Sequence, residues 1–299
     1  MAGNAGNAGN AGNAGAVGAL NNGGGVLSVL PDRVDLPFVT IDQPAGLLLS
    51  PQTISIDQYP RRCWTAEWRA WYALSEYMGA DWKSIPVLPW TDPVAAGEID
   101  DLATAAAEER ADALGEIVAQ HEEFASYFMR LLTMTPLSHP GTYRVMAIAS
   151  IVSMFTVLYF KNGITTGPNQ YKPRPRPSHV CPALSPPVPV PGHASYPSGH
   201  ATEAKLIALV VQDILKDPLG GGAPANSPMI NDLDALAARI ARNREIAGLH
   251  YETDSAAGQA LAAEIFDLLK GKNGNPGVAE FLAARGKALD EWNPAKLDQ

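Results

Sequence analysis

Residues 191–200 read Pro-Gly-His-Ala-Ser-Tyr-Pro-Ser-Gly-His, and they run directly into an apolar helical pattern that begins at Ala201. Proline and glycine favour a loop, so Ser198, Gly199 and His200 are predicted to stand at the mouth of a helix. The first backbone N–H groups of a helix lack partners within it, and the helix dipole adds partial positive charge there. The stretch therefore suits an oxyanion, although an isolated Ser-Gly-His is more often a serine N-cap beside a surface histidine.

Two further segments carry residues suited to the same anion. Downstream, Arg244 is followed after five residues by His250 and after three more by Asp254, whereas upstream the segment 171–177 ends in Arg176-Pro. Each guanidinium can donate paired N–H groups to an oxyanion. A carboxylate beside a histidine can fix its tautomer and leave the other ring nitrogen free to attack. The alternative for the downstream pair is a packed histidine and an aspartate that caps the next helix.

Together the three segments resemble the signature shared by type 2 phosphatidic acid phosphatases, bacterial class A acid phosphatases and vanadate-dependent haloperoxidases. The central and downstream parts match well, except that Asn243 replaces the usual serine before the arginine. The upstream part fits only in its Arg-Pro ending. The resemblance implies a mainly α fold, a helix bundle of the acid phosphatase and vanadium haloperoxidase type. The helical patterns of the chain point to the same class, since its second half shows no convincing set of alternating strands.

The resemblance also implies a role for each matched residue. His250 would be the nucleophile that takes the phosphoryl group as a phosphohistidine, or the axial ligand when vanadate occupies the site. Asp254 would orient His250, and His200 would be the general acid that protonates the leaving oxygen. The groups that would stabilise the equatorial oxygens are Arg176, Arg244, Ser198 and the Gly199 N–H.

The family pattern also contains a lysine at a fixed spacing before the Arg-Pro pair. Counting back from Arg176 reaches Asn169, which carries no charge. Lys161 is the counterpart if residues 163–170 are an insertion, and Lys172 is the counterpart if it swings in from the loop. We expect Lys161, because it ends a rigid helix.

These residues give a first expectation of a metal-independent phosphomonoester hydrolase without a cofactor. The alternative is a haloperoxidase that holds vanadate as its cofactor and oxidises halide with hydrogen peroxide. A third hypothesis is a noncatalytic helical module whose N-terminal tail and proline-rich residues 168–197, called the proline loop below, bind a partner. For the first two, the partner is a small phosphorylated substrate or an inorganic oxyanion, and homo-oligomer formation stays open.

Length and composition set the domain organisation. The 299 residues are 46% hydrophobic and 18% charged, which is enough for one catalytic domain, expected at 61–299. Residues 1–25 repeat Ala-Gly-Asn and are predicted to be disordered, and residues 26–60 are predicted to form an extended arm. The net charge of −9 argues against nucleic acid. Cys63 and Cys181 are either free thiols or one bridge.

The expected location follows from two apolar features. The N-terminus lacks the positive start and apolar run of a secretory signal, so the sequence as written predicts a cytoplasmic protein, with an exported form left open. The apolar run 145–160 is slightly short of a bilayer span and contains hydroxyl residues. We therefore interpret it as a buried helix and expect no membrane span.

Helical periodicity predicts two more features upstream. The pattern from Glu98 to Met134 indicates one long helix, or two with a break near Gly115, and His121 within it is interpreted as a structural or surface histidine. In the segment 65–77, aromatic and aliphatic residues at helical spacing predict core packing, namely Trp68, Trp71, Tyr72 and Leu74.

Overall fold

The computed structural model describes residues 64–90, 97–216, 227–272 and 274–293. The predicted tail 1–25 and arm 26–60 lie outside the described residues and stay predictions. Cys63 also lies outside them, and Cys181 is a free thiol.

The prediction of a mainly α fold is confirmed. The helices of the described residues are α1 Ala66–Tyr77, α2 Glu98–Glu108, α3 Arg110–Glu122, α4 Ala125–Leu131, α5 Pro140–Lys161, α6 Pro177–Val180, α7 Gly199–Lys216, α8 Pro228–Ile246, α9 Glu252–Lys270 and α10 Ala279–Glu291. Short 3-10 turns occur at Trp82–Ser84 and Pro182–Leu184. Extended pairing within the described ranges is limited to one antiparallel bridge between Ile164 and Tyr171.

Helices α5 and α7 form the centre of the bundle. Helix α5 packs against α1, α7 and α10, while α7 packs against α5, α8 and α9. Both helices are apolar on most of their surface, so burial on several sides is what their sequences favour. The C-terminus of α5 and the N-terminus of α7 carry the residues expected at the site, so the core also positions the chemistry.

The expectation that the chain contains no membrane span is wrong. Helix α5 has 22 residues and a mean hydropathy of 1.6 over its best 18-residue window, which is long and apolar enough to cross a bilayer. The helix begins at Pro140, earlier than the apolar run suggests. In this structure 78% of that window is buried inside the protein. The expectation of a cytoplasmic protein depended partly on the absence of such a helix. It loses that support, because α5 has the length and composition of a membrane-spanning segment.

The predicted break near Gly115 is also wrong. Residues 98–131 form three helices, and Gly115 lies inside the second of them. A single glycine costs a helix about 1 kcal/mol relative to alanine, which neighbouring turns can tolerate. The chain breaks instead at Glu109 and at Glu123. The Glu123 carboxylate, just before the Phe124 N-cap of α4, accepts a hydrogen bond from the Ser126 N–H at 2.7 Å.

The aromatic residues of α1 divide between core and surface. Trp68 and Trp71 are 67% and 50% exposed, so the prediction that they pack in the core is wrong. Leu74 is buried as predicted, and the other buried residues of α1 are Arg69, Ala70, Ala73 and Tyr77. The hydrophobic spacing predicted the position of the helix correctly. Which of its faces is buried depends on its packing against other helices, mainly α5.

Candidate active site

The structure brings the predicted residues together from five parts of the chain: the end of α5, the segment before α6, the start of α7, the end of α8 and the start of α9. The Ser198 N–H donates to the Asp254 carbonyl at 2.9 Å, which ties the start of α7 to the start of α9. The predicted residues that are buried in this cluster are Lys161, Arg176, Ser198, Gly199, His200, Arg244, His250 and Asp254. The convergence expected from the sequence is present in the fold.

His250 is held at both ring nitrogens. Its Nδ1 lies 3.2 Å from Oδ2 of Asp254, and its Nε2 lies 3.3 Å from Nη1 of Arg176. A guanidinium can only donate, so Nε2 must be the unprotonated nitrogen and Nδ1 must donate to the carboxylate. The geometry therefore fixes the tautomer that leaves a lone pair on Nε2.

Asp254 is fixed in turn by groups that the sequence did not single out. Its Oδ2 accepts from the Tyr251 N–H at 3.1 Å. Tyr251 is the N-cap of α9 and Asp254 is its third residue, so the aspartate stabilises the helix start without being its N-cap. Its Oδ1 accepts from Nη1 of Arg174 at 2.7 Å. Nη2 of Arg174 lies 2.5 Å from Oε2 of Glu98, and its guanidinium lies 3.8 Å from the centre of the Tyr251 ring. Arg174 thus links two buried carboxylates behind the histidine.

Arg176 is positioned by backbone carbonyls and by a histidine from the proline loop. Its Nη1 donates to Leu249 O at 2.8 Å, its Nε donates to His193 O at 3.0 Å, and its Nη2 lies 3.1 Å from Nδ1 of His193. Burial lowers the pKa of Arg176 to about 10. His193 lies in the proline-rich segment five residues before Ser198, and this proximity is the sequence signal for its place at the site.

Arg244 lies in the last turn of α8, and two of its guanidinium nitrogens are unpaired among the described residues. Its Nη2 donates to Ile117 O at 2.7 Å, while Nε and Nη1 are buried and have no hydrogen-bond partner among the described residues. Burial lowers the pKa of Arg244 to about 10, so the group still carries its charge at neutral pH. The preceding Asn243 donates to Gln120 Oε1 at 2.9 Å, which fixes α8 on α3. An anion would satisfy the two remaining guanidinium nitrogens.

The structure distinguishes the two candidate lysines. Lys161 is 3% exposed, and its Nζ donates to Ala194 O at 2.8 Å and to Ser195 O at 2.7 Å, beside the Pro-Ser-Gly-His segment. Lys172 is exposed. The Ile164–Tyr171 bridge closes the intervening residues into a separate loop, as expected if they are an insertion. Lys161 therefore lies at the site, and Lys172 does not.

The start of α7 has the predicted form. Ser198 is its N-cap, since the Ala201 N–H lies 3.4 Å from Ser198 Oγ, and Gly199 is its first residue. Nε2 of His200 lies 3.3 Å from Gln120 O, and the His200 ring lies 5.2 Å from the ring of Phe124. Because a carbonyl only accepts, the neutral His200 ring carries its proton on Nε2.

The two site histidines are embedded in positive charge. Burial lowers the pKa of His250 well below its ordinary value, and the charges of Arg176 and Lys161 lower it further. Burial also lowers the pKa of His200 well below its ordinary value, and the nearby Arg244 and His250 lower it further. Both rings are therefore neutral in the absence of an anion, and a bound dianion would raise both pKa values.

A cavity of about 410 Å³ leads from the surface to Lys161 and His193. Its remaining lining residues are Leu158, Tyr159, Asn162, Pro173 and Ala194. A larger cavity of about 550 Å³ lies elsewhere, between Tyr127 and Arg239, and contains none of the predicted site residues. Chemistry rather than size therefore identifies the site.

Comparisons with known proteins give likenesses in structure but none in sequence. No family model and no curated protein matches the sequence. Among solved structures, the fold is similar to the crystal structure of the first transmembrane PAP2 type phosphatidylglycerolphosphate phosphatase from Bacillus subtilis, with 15% sequence identity and a TM-score of 0.41 over 69% of this chain and 94% of that one. At this identity and TM-score, the likeness does not extend to substrate, site residues or membrane topology.

Proposed function

We propose that the protein is a metal-independent phosphomonoester hydrolase that acts through a phosphohistidine at His250. The observation that carries this proposal is the fixed tautomer of His250, whose unprotonated Nε2 lies beside Arg176 while Asp254 holds Nδ1. A neutral imidazole with an oriented lone pair is a competent nucleophile toward phosphorus. The surrounding cations are the groups that a phosphoryl transfer needs, because that reaction depends mainly on positioning and on charge stabilisation.

In the proposed first step, Nε2 of His250 attacks phosphorus, an N–P bond forms and the P–O bond to the leaving group breaks. Lys161, Arg176 and Arg244 stabilise the charge on the equatorial oxygens, with Ser198 Oγ and the Gly199 N–H completing the cage. His200, protonated once the dianion has raised its pKa, gives its proton to the leaving oxygen. In the second step, water attacks the phosphohistidine, His200 takes a proton from that water, and inorganic phosphate is released.

The same cage would fit vanadate, which is a tetrahedral oxyanion of similar size. His250 Nε2 would be its protein ligand, and the same cations would hold its oxygens. Vanadate would supply the activation of peroxide in the haloperoxidase alternative. Phosphate and vanadate would be held by the same residues, and the neutral His250 would serve either anion. Activity assays therefore distinguish the two functions.

The experiment is hydrolysis of p-nitrophenyl phosphate in the presence of EDTA. We expect the wild type to release nitrophenol, His250→Ala to abolish the release, and His179→Ala, at an exposed histidine on α6, to leave it unchanged. A phosphoprotein that is labile in acid and stable in base should accumulate in the wild type alone. Activity that persists in His250→Ala would contradict the proposal, as would halogenation of monochlorodimedone with vanadate and peroxide without any phosphatase activity.

A further inference from the structure

His121 is a buried histidine without an evident structural role. It lies in the last turn of α3 and is 6% exposed. Its Nε2 is fully buried and has no hydrogen-bond partner in the part of the chain that the structure describes. Leaving a buried polar nitrogen unpaired costs about 1–3 kcal/mol, so such groups in folded proteins usually have a ligand or another partner. The expectation of a merely structural or surface histidine does not account for this nitrogen.

The neighbours of His121 on α3 both contact site residues. Ile117 O accepts from Nη2 of Arg244 at 2.7 Å, and Gln120 O lies 3.3 Å from Nε2 of His200. Burial lowers the pKa of His121 and the Arg244 charge lowers it further, while His121 makes a small contribution to lowering the pKa of His200. The last two turns of α3 therefore form one wall of the site, and His121 lies in that wall.

The cations near the proline loop and the residues near α3 differ in how many of their N–H donors are already hydrogen-bonded. Arg176 and Lys161 donate to carbonyls of residues 193–195, and Arg176 also donates to Leu249 O. On the α3 side, Nε and Nη1 of Arg244 and Nε2 of His121 are each buried without a partner among the described residues. These nitrogens belong to an arginine that donates to α3 and to a histidine of α3, and they are suited to donate to one anion.

We propose that His121 is a further oxyanion-binding residue, which donates from Nε2 to an oxygen of the phosphoryl group on the side of Arg244. This inference rests on the proposed function, since it assigns one more contact of the same anion. The neutral His121 ring adds a hydrogen-bond donor without adding charge. It can therefore donate to the same oxygen as Arg244 without repelling the guanidinium. One consequence is that inorganic phosphate, the product, should depend on His121 as much as the substrate does.

The test is the affinity for inorganic phosphate, measured by calorimetry, together with KM and kcat for p-nitrophenyl phosphate. His121→Leu removes the donor, His121→Gln keeps a donor of similar reach, and His179→Gln changes an exposed histidine as the matched control. We expect His121→Leu to weaken phosphate binding and to raise KM by about tenfold, which corresponds to one hydrogen bond. His121→Gln should stay within about threefold of the wild type, and His179→Gln should equal it.

A second readout does not require the leucine variant to fold. In protein with ¹⁵N-labelled histidine, phosphate should shift the imidazole Nε2 signal of His121, which the His121→Gln spectrum identifies by its absence. An unshifted His121 signal in protein that binds phosphate would overturn the inference, as would a His121→Leu variant with wild-type affinity for phosphate. In those cases the proposed function stands. Failure of the wild type to bind phosphate would overturn the proposed function and this inference together.

Discussion

Nη1 of Arg174 lies 2.7 Å from Oδ1 of Asp254, and neither side chain is exposed to solvent. The same arginine binds Glu98 through its other terminal nitrogen. The carboxylate that orients His250 is therefore itself oriented by a buried ion pair. Positioning of the nucleophile depends on a chain of contacts that begins in α2, far from the Pro-Ser-Gly-His segment in sequence.

Replacing Arg174 should damage both stability and activity. In Arg174→Met the carboxylates of Asp254 and Glu98 lose their shared cation in the protein interior, which should lower the free energy of unfolding by about 3–5 kcal/mol. Arg174→Lys should recover only part of the loss, because one ammonium cannot bind both carboxylates as the planar guanidinium does. Urea unfolding measures the effect, with kcat for p-nitrophenyl phosphate as the activity readout.

The control for that prediction is an ion pair at the surface. Lys205 and Asp234 lie 2.6 Å apart with side chains 26% and 45% exposed. Because solvent screens such a pair, Lys205→Met should change the free energy of unfolding by less than about 1 kcal/mol. Equal stability of Arg174→Met and Lys205→Met would contradict the structural role of Arg174.

Replacing Lys161 and replacing Lys172 should have very different effects on kcat/KM. Lys161→Met removes a buried cation beside the anion cage, so kcat/KM should fall roughly 10- to 100-fold, as expected for one charge-assisted hydrogen bond. Lys172→Met changes an exposed side chain and should leave kcat/KM unchanged. Steady-state kinetics with p-nitrophenyl phosphate measures both. A larger effect at Lys172 than at Lys161 would reverse the assignment.

Gly258 should not tolerate a methyl group. A Cβ at this position on α9 would lie 2.6 Å from Ser198 O and 2.9 Å from Thr202 Oγ1, so α9 and the start of α7 would have to separate. We expect Gly258→Ala to lower the free energy of unfolding by about 1–3 kcal/mol and to reduce kcat, because Ser198 and Gly199 would be displaced.

Gly286 provides the matched control for Gly258. It lies in α10, and a Cβ there would meet nothing within 4 Å. Gly286→Ala should therefore raise the free energy of unfolding by about 0.5–1 kcal/mol through the higher helix propensity of alanine. Thermal unfolding of the two variants side by side measures the contrast, and a Gly258→Ala variant as stable and active as Gly286→Ala would refute the close approach.

Stability should fall on mild acidification. The pKa values of His200 and His250 are lowered in the folded protein, and that of His193 is lowered to about 4, mainly by burial in each case. In the unfolded chain these groups titrate near about 6.5, so below that pH the unfolded state binds more protons. Each neutral buried histidine should therefore cost up to about 1.4 kcal/mol of stability per pH unit as the pH falls below 6.5.

Urea unfolding at pH 7.5, 6.5 and 5.5 measures this dependence. The slope should become smaller in His200→Gln, which removes one titrating group, and should be unchanged in His179→Gln, where the histidine is exposed. Added phosphate should also reduce the slope, because a bound dianion raises the pKa of the site histidines. Stability that is constant or rising from pH 7.5 to 5.5 would contradict neutral, buried imidazoles.

The sequence by itself determined the helical class, the helix start at Ser198 to His200, and the spacing that puts His250 and Asp254 together. These features are local: a proline–glycine loop ends where an apolar helical pattern begins, and two residues four apart near a helix start face the same way. Sequence reasoning also assembled the list of anion-binding groups, since their types and spacings resemble a known signature.

Only the tertiary structure decided which lysine lies at the site, what holds Asp254, and which face of α1 is buried. It also decided that His193 contacts Arg176 and that α3, which carries His121, contacts Arg244 and His200. Each of these depends on contacts between segments that are distant along the chain, such as the pairing of Arg174 with Glu98 across 76 residues. A residue's type limits which bonds it can make, but the packing of helices around α5 and α7 sets which partners come within reach. Burial then holds arginine, lysine and histidine, which are ordinarily surface residue types, in one ordered cluster around His250.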